Sequence, residues 1–375
     1  MKRLSENSQA GVDAVFTARM SRRAFCAMGL AAGSALFAGC VSTTQDQTNE
    51  AEKPSPSEEP QEESVPQEEE TSTPQEAVKG STFAYNTLVS LTAYGVDQSV
   101  IKDCLKAYAD YEDLFSARKS GTDIDRINQA KGAPVEVDQQ TADLIAEALK
   151  FCEKSEGAFD ITIGSVSLLW DFMEAVKPDD ALIQEAVKHI DYTQVKLDGT
   201  TVTLLDPEAK LDLGGIAKGW ICGEIARKLK DAGATAGLID LGTSSICAFG
   251  TKPDGSGWRI GLRDPREDAT GYVGIIELTD ISMTSSGLYE QQFELDGVTY
   301  WHILDSSTGY PAQTDMLGDT VVCADAAFGD AVTTMLFVKG IDEAVSWIEK
   351  NYPDVAAMFI PRDGEPVFVN GFSIL

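Results

Sequence analysis

The chain changes character abruptly near residue 82, and that break decides how much of it can fold. Residues 41–80, VSTTQDQTNEAEKPSPSEEPQEESVPQEEETSTPQEAVKG, hold almost no large apolar side chain and are rich in Pro, Glu, Gln and Ser. Such a segment cannot bury enough surface to offset its ordering entropy, so it reads as a disordered acidic tether. From about Thr82 to the C-terminus the composition is globular throughout. That length supports one large or two ordinary domains with a substantial core. No internal repeat or Pro/Gly-rich break divides it, so a single body with subdomains over 82–375 is expected.

Ahead of the tether, residues 1–39 read as an address. SRRAF (Ser21 to Phe25) pairs two arginines with an aromatic, and the short apolar run CAMGLAAGSALFAG leads to Cys40. The run is too short to span a bilayer permanently and has signal-peptide form. The paired arginines fit a twin-arginine export signal, and Ala38-Gly39-Cys40 fits a lipoprotein processing site. Cys40 would then open the tether (40–81) as the lipidated first mature residue. The protein would be anchored on the extracytoplasmic face of the cell membrane. The alternative is an ordinary cleaved signal with an incidental cysteine. The other cysteines beyond it, Cys104, Cys152, Cys222, Cys247 and Cys323, are odd in number and contain no C-x-x-C pair. Buried thiols fit them better than a disulfide framework or a zinc site.

Sixty acidic against thirty basic side chains give a formal net charge of −30. That balance argues against nucleic acid as a partner. FAYNTLVSLTAYG reads as a first strand, ending at a turn glycine. Helical spacing predicts helices over 97–117, 140–155, 216–232 (closed by Gly233), 326–338 and 341–350. Short β-like runs, AGLIDLG, SSICAFG, WRIGLRD, YVGIIEL, YWHILD and DTVVCA, fill the second half, and VAAMFI and PVFVN close the chain. Strands bunched between helices imply an α+β fold.

Four stretches place polar, glycine and aromatic residues in apolar surroundings. GAFDITIG (Gly157 to Gly164) delivers Phe159 and Asp160 just after a helix, which suits a planar heterocycle or, alternatively, a helix cap and turn. LDLGGIAKGW (Leu211 to Trp220) puts Asp212 at a strand end and opens a helix with Gly214, Gly215 and Lys218. Glycines there make either an anion site of free N–H groups and a positive dipole end or, alternatively, a turn that serves packing alone. It is neither a Walker A sequence nor G-x-G-x-x-G. TSSGLYE and YWHILDSSTGYP bring His302, alternating with Trp301 and Ile303 on a strand, close to Asp305, Ser307 and Thr308, where it reads as a catalyst or, alternatively, as a satisfied structural histidine. The chain's other histidine, His189, sits in a charged helical stretch and reads as exposed. GDAVTTML sets Asp330 and Thr334 one helical turn apart. These are hard oxygen ligands, suited to Mg²⁺ that completes its shell with water, a backbone carbonyl and phosphate oxygens. Without a phosphate site nearby, Asp330 would instead read as a helix cap.

GAFDITIGSVSLLWDF, LDLGGIAKGW, GTSSICAFG with WRIGLRDP, TSSGLYE, HILDSSTGYP and GDAVTTML, in this order, resemble the FAD:protein FMN transferase family, also called ApbE. The resemblance covers essentially the whole folded region and implies an ApbE-like α+β body with FAD in a cleft between subdomains. It implies transfer of FMN from FAD to a threonine or serine of a partner protein, with AMP released. Exported acceptors bearing a D-x-x-[ST]-G-A-[ST] pattern are the implied partners. By motif, Asp330 and Thr334 would bind Mg²⁺ through side chains and Gly215 through its carbonyl. Asp212, Lys218, Ala158, Phe159, Asp160, Tyr85, Arg118 and Ile303 would contact FAD. His302 falls on the family's reactive histidine and is the candidate base, an imidazole titrating near working pH. Asp330 joins it as the second catalytic candidate. Two departures stand out: Tyr85-Asn86-Thr87 replaces Met-Gly-Thr, and Asp305-Ser306 replaces Asp-Pro. The same site used with water would be an FAD pyrophosphatase. A lipid-anchored flavin binder without catalysis is the alternative from another class.

Overall fold

A computed structural model of the chain describes residues 76–242, 244–266, 271–288 and 291–375. The export signal, Cys40 and the predicted tether up to residue 75 lie outside the described residues. The described part belongs to one compact unit, Glu70–Leu375. It opens with strands β1 (Val78–Ala84) and β2 (Thr87–Tyr94), then helices α1 (Gln98–Phe115) and α2 (Asp123–Gln129), strand β3 (Val135–Glu136) and helix α3 (Gln139–Lys154). Two short helices, α4 (Gly164–Ser167) and α5 (Asp180–Ala186), precede strands β4 (Val195–Asp198) and β5 (Thr201–Leu204). Helix α6 (Ala217–Asp231) leads into β6 (Ala236–Leu241), β7 (Ser245–Phe249), β8 (Trp258–Arg263), β9 (Tyr272–Leu278) and β10 (Ile281–Gly287). The hairpin β11 (Gln292–Leu295) and β12 (Val298–Trp301) and the long strand β13 (Met316–Cys323) follow. Helices α7 (Ala326–Lys339) and α8 (Ile341–Asn351) and strands β14 (Ala356–Pro361) and β15 (Val367–Val369) complete it.

Eight strands form one sheet in the order β1-β2-β6-β7-β10-β13-β14-β15, antiparallel at every pairing. Helices α1, α6 and α7 cover one face, where the larger core lies. A smaller core, built on Trp258, Ile276, Met283 and Met358, seats the β8–β9 hairpin on the other face. Helix α1 shows why such layers form. Its buried residues Ile101, Cys104, Tyr108, Tyr111 and Phe115 recur every three or four positions and make one apolar stripe.

Four expectations need correction. The predicted tether does not run to residue 81, because β1 begins at Val78 and pairs with β2 from there. FAYNTLVSLTAYG is not one strand but spans the turn of a hairpin. Tyr85 (φ 53°) and Asn86 (φ 60°) both take left-handed backbone, which matches the twist of flanking antiparallel strands. Asp212 does not end a strand; the nearest strand-like pairing is an isolated parallel bridge between Ile163 and Lys210. β12 stops at Trp301, so His302 follows the strand rather than alternating within it. The five core cysteines are free thiols and all are buried.

Candidate active site

Helix α7 is buried on nearly every side, from Ala326 to Phe337. Its N-cap is Asp325, whose carboxylate accepts from the N–H groups of Ala327 (3.0 Å) and Phe328 (3.1 Å). Asp330 is therefore not the cap of its own helix. It lies in the next turn, 3% exposed, inside a layer of apolar side chains. A carboxylate in such a place is stable only with polar partners.

The partners come from two other elements. The Gly219 N–H, in the first turn of α6, donates to Asp330 Oδ2 (3.0 Å). Ser245, the first residue of β7, donates through Oγ to Oδ1 (3.5 Å). Lys218 brings its ammonium to 3.9 Å from Oδ1. The start of α6 lacks a side-chain cap of its own, and Asp330 supplies the acceptor from across the interface. Gly219 makes the approach possible: a Cβ there would run into the Ala326 carbonyl and stand 2.8 Å from Asp330 Cβ.

Gly215 stands beside the same spot. A Cβ on it would be 3.5 Å from Thr334 Oγ1 and 3.0 Å from Phe159 Cε2. Asp330, Thr334, the glycine-opened end of α6, Lys218 and the Phe159 ring are thus brought together. Thr334 also donates to the Asp330 carbonyl (3.4 Å), which points its hydroxyl along α7. Phe159 is fixed by an edge contact with Phe151, ring centroids 5.2 Å apart.

Other sequence-predicted residues act as framework around this point. Asp212 accepts from the Gly214 N–H (2.9 Å) and from Ser167 Oγ (2.6 Å), so it shapes the glycine turn. Arg118 donates to the carbonyls of Ser167 (2.7 Å) and Trp170 (3.1 Å), pinning the segment that carries Ser167. Asp160 is buried, and burial raises its carboxyl above the usual carboxylate range. It accepts from Thr162 N–H (2.8 Å), Thr162 Oγ1 (2.6 Å) and Tyr192 N–H (2.9 Å). Tyr85 donates its hydroxyl to the Tyr108 carbonyl (2.9 Å), and burial lifts its phenol well above its ordinary value. Ala158 is half-buried against the core beside Phe159. Ile303 is buried, its carbonyl accepting from Ala312 N–H (2.9 Å).

His302 is half-buried, and its Nδ1 is enclosed with no hydrogen-bond partner among the described residues. Burial, and next the Lys218 charge, lower its pKa from the ordinary 6.5 to about 4. The expectation of an ordinary imidazole is corrected: this one stays neutral to well below neutral pH and is a weaker base than a free imidazole. The same ammonium thus faces both Asp330 and His302. His189, expected to be exposed, is half-buried and its Nδ1 pairs with Asp206 at 2.7 Å. Sequence reasoning missed Ser245, which behaves in the chain as an unremarked serine at a strand start. It picked out Thr284 only as the start of TSSGLYE, without a role; Thr284 is Ser245's cross-strand neighbour, and its buried Oγ1 has no partner among the described residues.

The donors near Asp330 are hard oxygens, which fit Mg²⁺ and not zinc. Among the described residues no cluster of three or more His, Cys, Asp or Glu is placed to hold a metal. Any ion here would share its shell with substrate oxygens and water, as magnesium does.

The fold and this site belong to an α+β class in which one antiparallel sheet carries a buried carboxylate against a glycine-opened helix. The sequence profile of the ApbE family matches residues 85–359, and the chain belongs to that family. It is 34% identical over 270 residues to the FAD:protein FMN transferase of Treponema pallidum, covering 67% of this chain and 74% of that one. The FAD:protein FMN transferase of Klebsiella pneumoniae is 31% identical over 280 residues, with 73% and 86% covered. Among solved structures, the ApbE protein of Thermotoga maritima superposes with a TM-score of 0.72 at 31% identity, over 78% of this chain and 97% of that one. The flavin transferase ApbE of Vibrio cholerae gives 0.71 at 26%, over 80% and 99%.

Proposed function

We propose that this protein is a Mg²⁺-dependent FAD:protein FMN transferase acting on a threonine or serine of an exported acceptor. Family membership and the names of the relatives support flavin transfer. One observation supports the site: Asp330 and Thr334 of α7 meet Lys218 of α6 and Gly215 just before that helix, and the Lys218 charge also reaches a neutral His302. The Asp330 carboxylate, Thr334 hydroxyl and Gly215 carbonyl would hold Mg²⁺, which when bound neutralises charge on the FAD diphosphate.

The chain's own groups do the rest. Lys218, whose ammonium already lies 3.9 Å from Asp330 Oδ1, orients the diphosphate as a point charge. Phe159 offers a ring face, with Ala158 and Ile303 as apolar wall. Asp160, Asp212, Arg118 and Tyr85 bind through the surfaces they shape, since their polar atoms already serve the chain. His302 takes the proton of the acceptor hydroxyl at an imidazole nitrogen. The acceptor oxygen bonds to the FMN-side phosphorus, and the bridging P–O bond breaks with its electron pair passing to AMP. Positioning and charge stabilisation supply most of the rate in such transfers. The N-terminal signal and Cys40 support export and lipid anchoring on the outer side of the membrane, with the acidic segment as tether.

The test is mass spectrometry of a candidate acceptor co-expressed with this protein. The expected result is an added FMN mass on one threonine or serine, lost with Asp330→Ala. AMP released equally fast without acceptor would overturn transfer in favour of FAD hydrolysis.

A further inference from the structure

Two buried hydroxyls face the turn of α7 that carries Asp330. Ser245 opens β7, Thr284 lies in β10, and the two are direct partners across that antiparallel pair. Such partners present their side chains on one face of the sheet, with Cβ atoms ~4.5–5.5 Å apart. Here that face is the one α7 covers. Ser245 Oγ meets Asp330 Oδ1 at 3.5 Å, and a Cβ on Gly329 would stand 3.0 Å from Thr284 Oγ1. Both residues are buried, Thr284 at 1% exposed. Thr284 Oγ1 has no hydrogen-bond partner among the described residues, although buried hydroxyls are normally paired. The Ser245 bond to Asp330 is long for an O–H···O contact. Ser245 Oγ also keeps lone pairs that can accept, and the hydroxyl opposite it is a donor without an acceptor.

We propose that Thr284 and Ser245 are positioning residues for the metal. They form a hydroxyl chain, Thr284 O–H to Ser245 Oγ and Ser245 O–H to Asp330 Oδ1, that orients the carboxylate for Mg²⁺. The inference rests on the metal reading above. Thr and Ser paired across a ladder commonly bond to each other, and linked hydrogen bonds polarise one another, so the inner link strengthens the outer one. The Lys218 ammonium, 3.9 Å from the same Oδ1, cannot serve in their place. It competes with a cation for that oxygen, whereas neutral hydroxyls orient it and leave its charge to the metal. Groups behind a metal ligand cost roughly 10–100-fold in metal affinity when lost.

The test follows the Tm of the full chain loaded with FAD as Mg²⁺ is added, in Ser245→Ala, Thr284→Val and Thr284→Ser. Val keeps the branched shape of Thr without its hydroxyl, and Ser keeps the hydroxyl. Ser245→Ala should raise the Mg²⁺ concentration that gives half the added rise about tenfold or more, and Thr284→Val about threefold or more. Thr284→Ser should restore it to within about twofold of wild type. The rise from FAD alone should stay at the wild-type value in all three, which a loosened core would not allow. The pair is overturned if either hydroxyl-free variant keeps the wild-type Mg²⁺ response, or if Thr284→Ser responds as Thr284→Val does. Loss of the FAD effect in step with the metal effect overturns it too. Should Ser245→Ala fail to fold, the two variants at 284 decide. A wild type indifferent to Mg²⁺ sinks the metal reading and the pair with it; a responsive wild type with unmoved variants sinks the pair alone.

Discussion

At the scale of single residues, Asp330 has two tasks that substitution can separate. It accepts the Gly219 N–H inside the core, and it presents its other oxygen toward Ser245 and Lys218. Asp330→Ala leaves a buried N–H unpaired and should cost about 1–3 kcal/mol of stability, read by denaturant unfolding. Asp330→Asn keeps an acceptor for Gly219 and removes the charge. It should unfold close to wild type yet lower Mg²⁺-dependent AMP release at least 100-fold. Retained release in a folded Asn variant would remove Asp330 from the metal site. The neutral His302 makes a second expectation. Its pKa near 4 lies below the ordinary 6.5, so the folded protein resists its protonation, and the neutral form persists as pH falls until about 4. The acid limb of kcat/KM, which reports the free enzyme, should therefore fall near pH 4. Lys218 contributes to the lowering, so Lys218→Met should shift that limb upward. An acid limb unmoved in His302→Gln would show that another group is titrating. Asp330, Thr334 and His302 could be picked from sequence because their chemistry is rare in apolar runs. Ser245 could not, since only strand pairing and the packing of α7 bring it to the carboxylate.

At the scale of elements, the joint between α6 and α7 sets the site. Gly219 is the contact point, and a side chain there meets backbone rather than a flexible tip. Gly219→Ala should force the helices apart at a cost of about 1–3 kcal/mol, visible in denaturant unfolding. It should also reduce AMP release more than its stability loss explains, because Asp330 and the start of α6 move relative to each other. The neighbouring Gly223, whose Cβ would meet nothing within 4 Å, is the matched control and should tolerate Ala with little loss. The five longer helices are readable from their period to within a few residues at each end, whereas the short helices α2, α4 and α5 carry too few turns to show one and are not predicted by it. Gly233, for example, closes α6 with φ 95°. What periodicity could not tell was sheet order. The β1–β2 hairpin hides in one β-rich run because Tyr85-Asn86 lacks the glycine that usually marks a two-residue turn. The strand pairing that puts Thr284 beside Ser245 is likewise a long-range fact with no local signal.

At the scale of the whole molecule, the site is shared by parts far apart in the chain: residues 158–160, 212–219, 245, 302 and 330–334. A ligand that touches them all binds only the folded state, and its binding energy adds to stability as RT ln(1 + [L]/Kd). At a hundredfold excess over Kd that is about 2.7 kcal/mol, or ~5 °C for a body of this size. FAD with Mg²⁺ should therefore raise Tm by several degrees, and chelation by EDTA should remove part of the gain. In Asp330→Asn, FAD should still stabilise through the remaining contacts, but added Mg²⁺ should bring no further increment. The size of that missing increment measures the coupling between metal and diphosphate without any turnover. If Mg²⁺ stabilises the Asn variant as much as the wild type, the ion binds elsewhere. The convergence of α6 and α7 would then serve packing alone, with Asp330 as the distant cap of a helix that lacks one of its own.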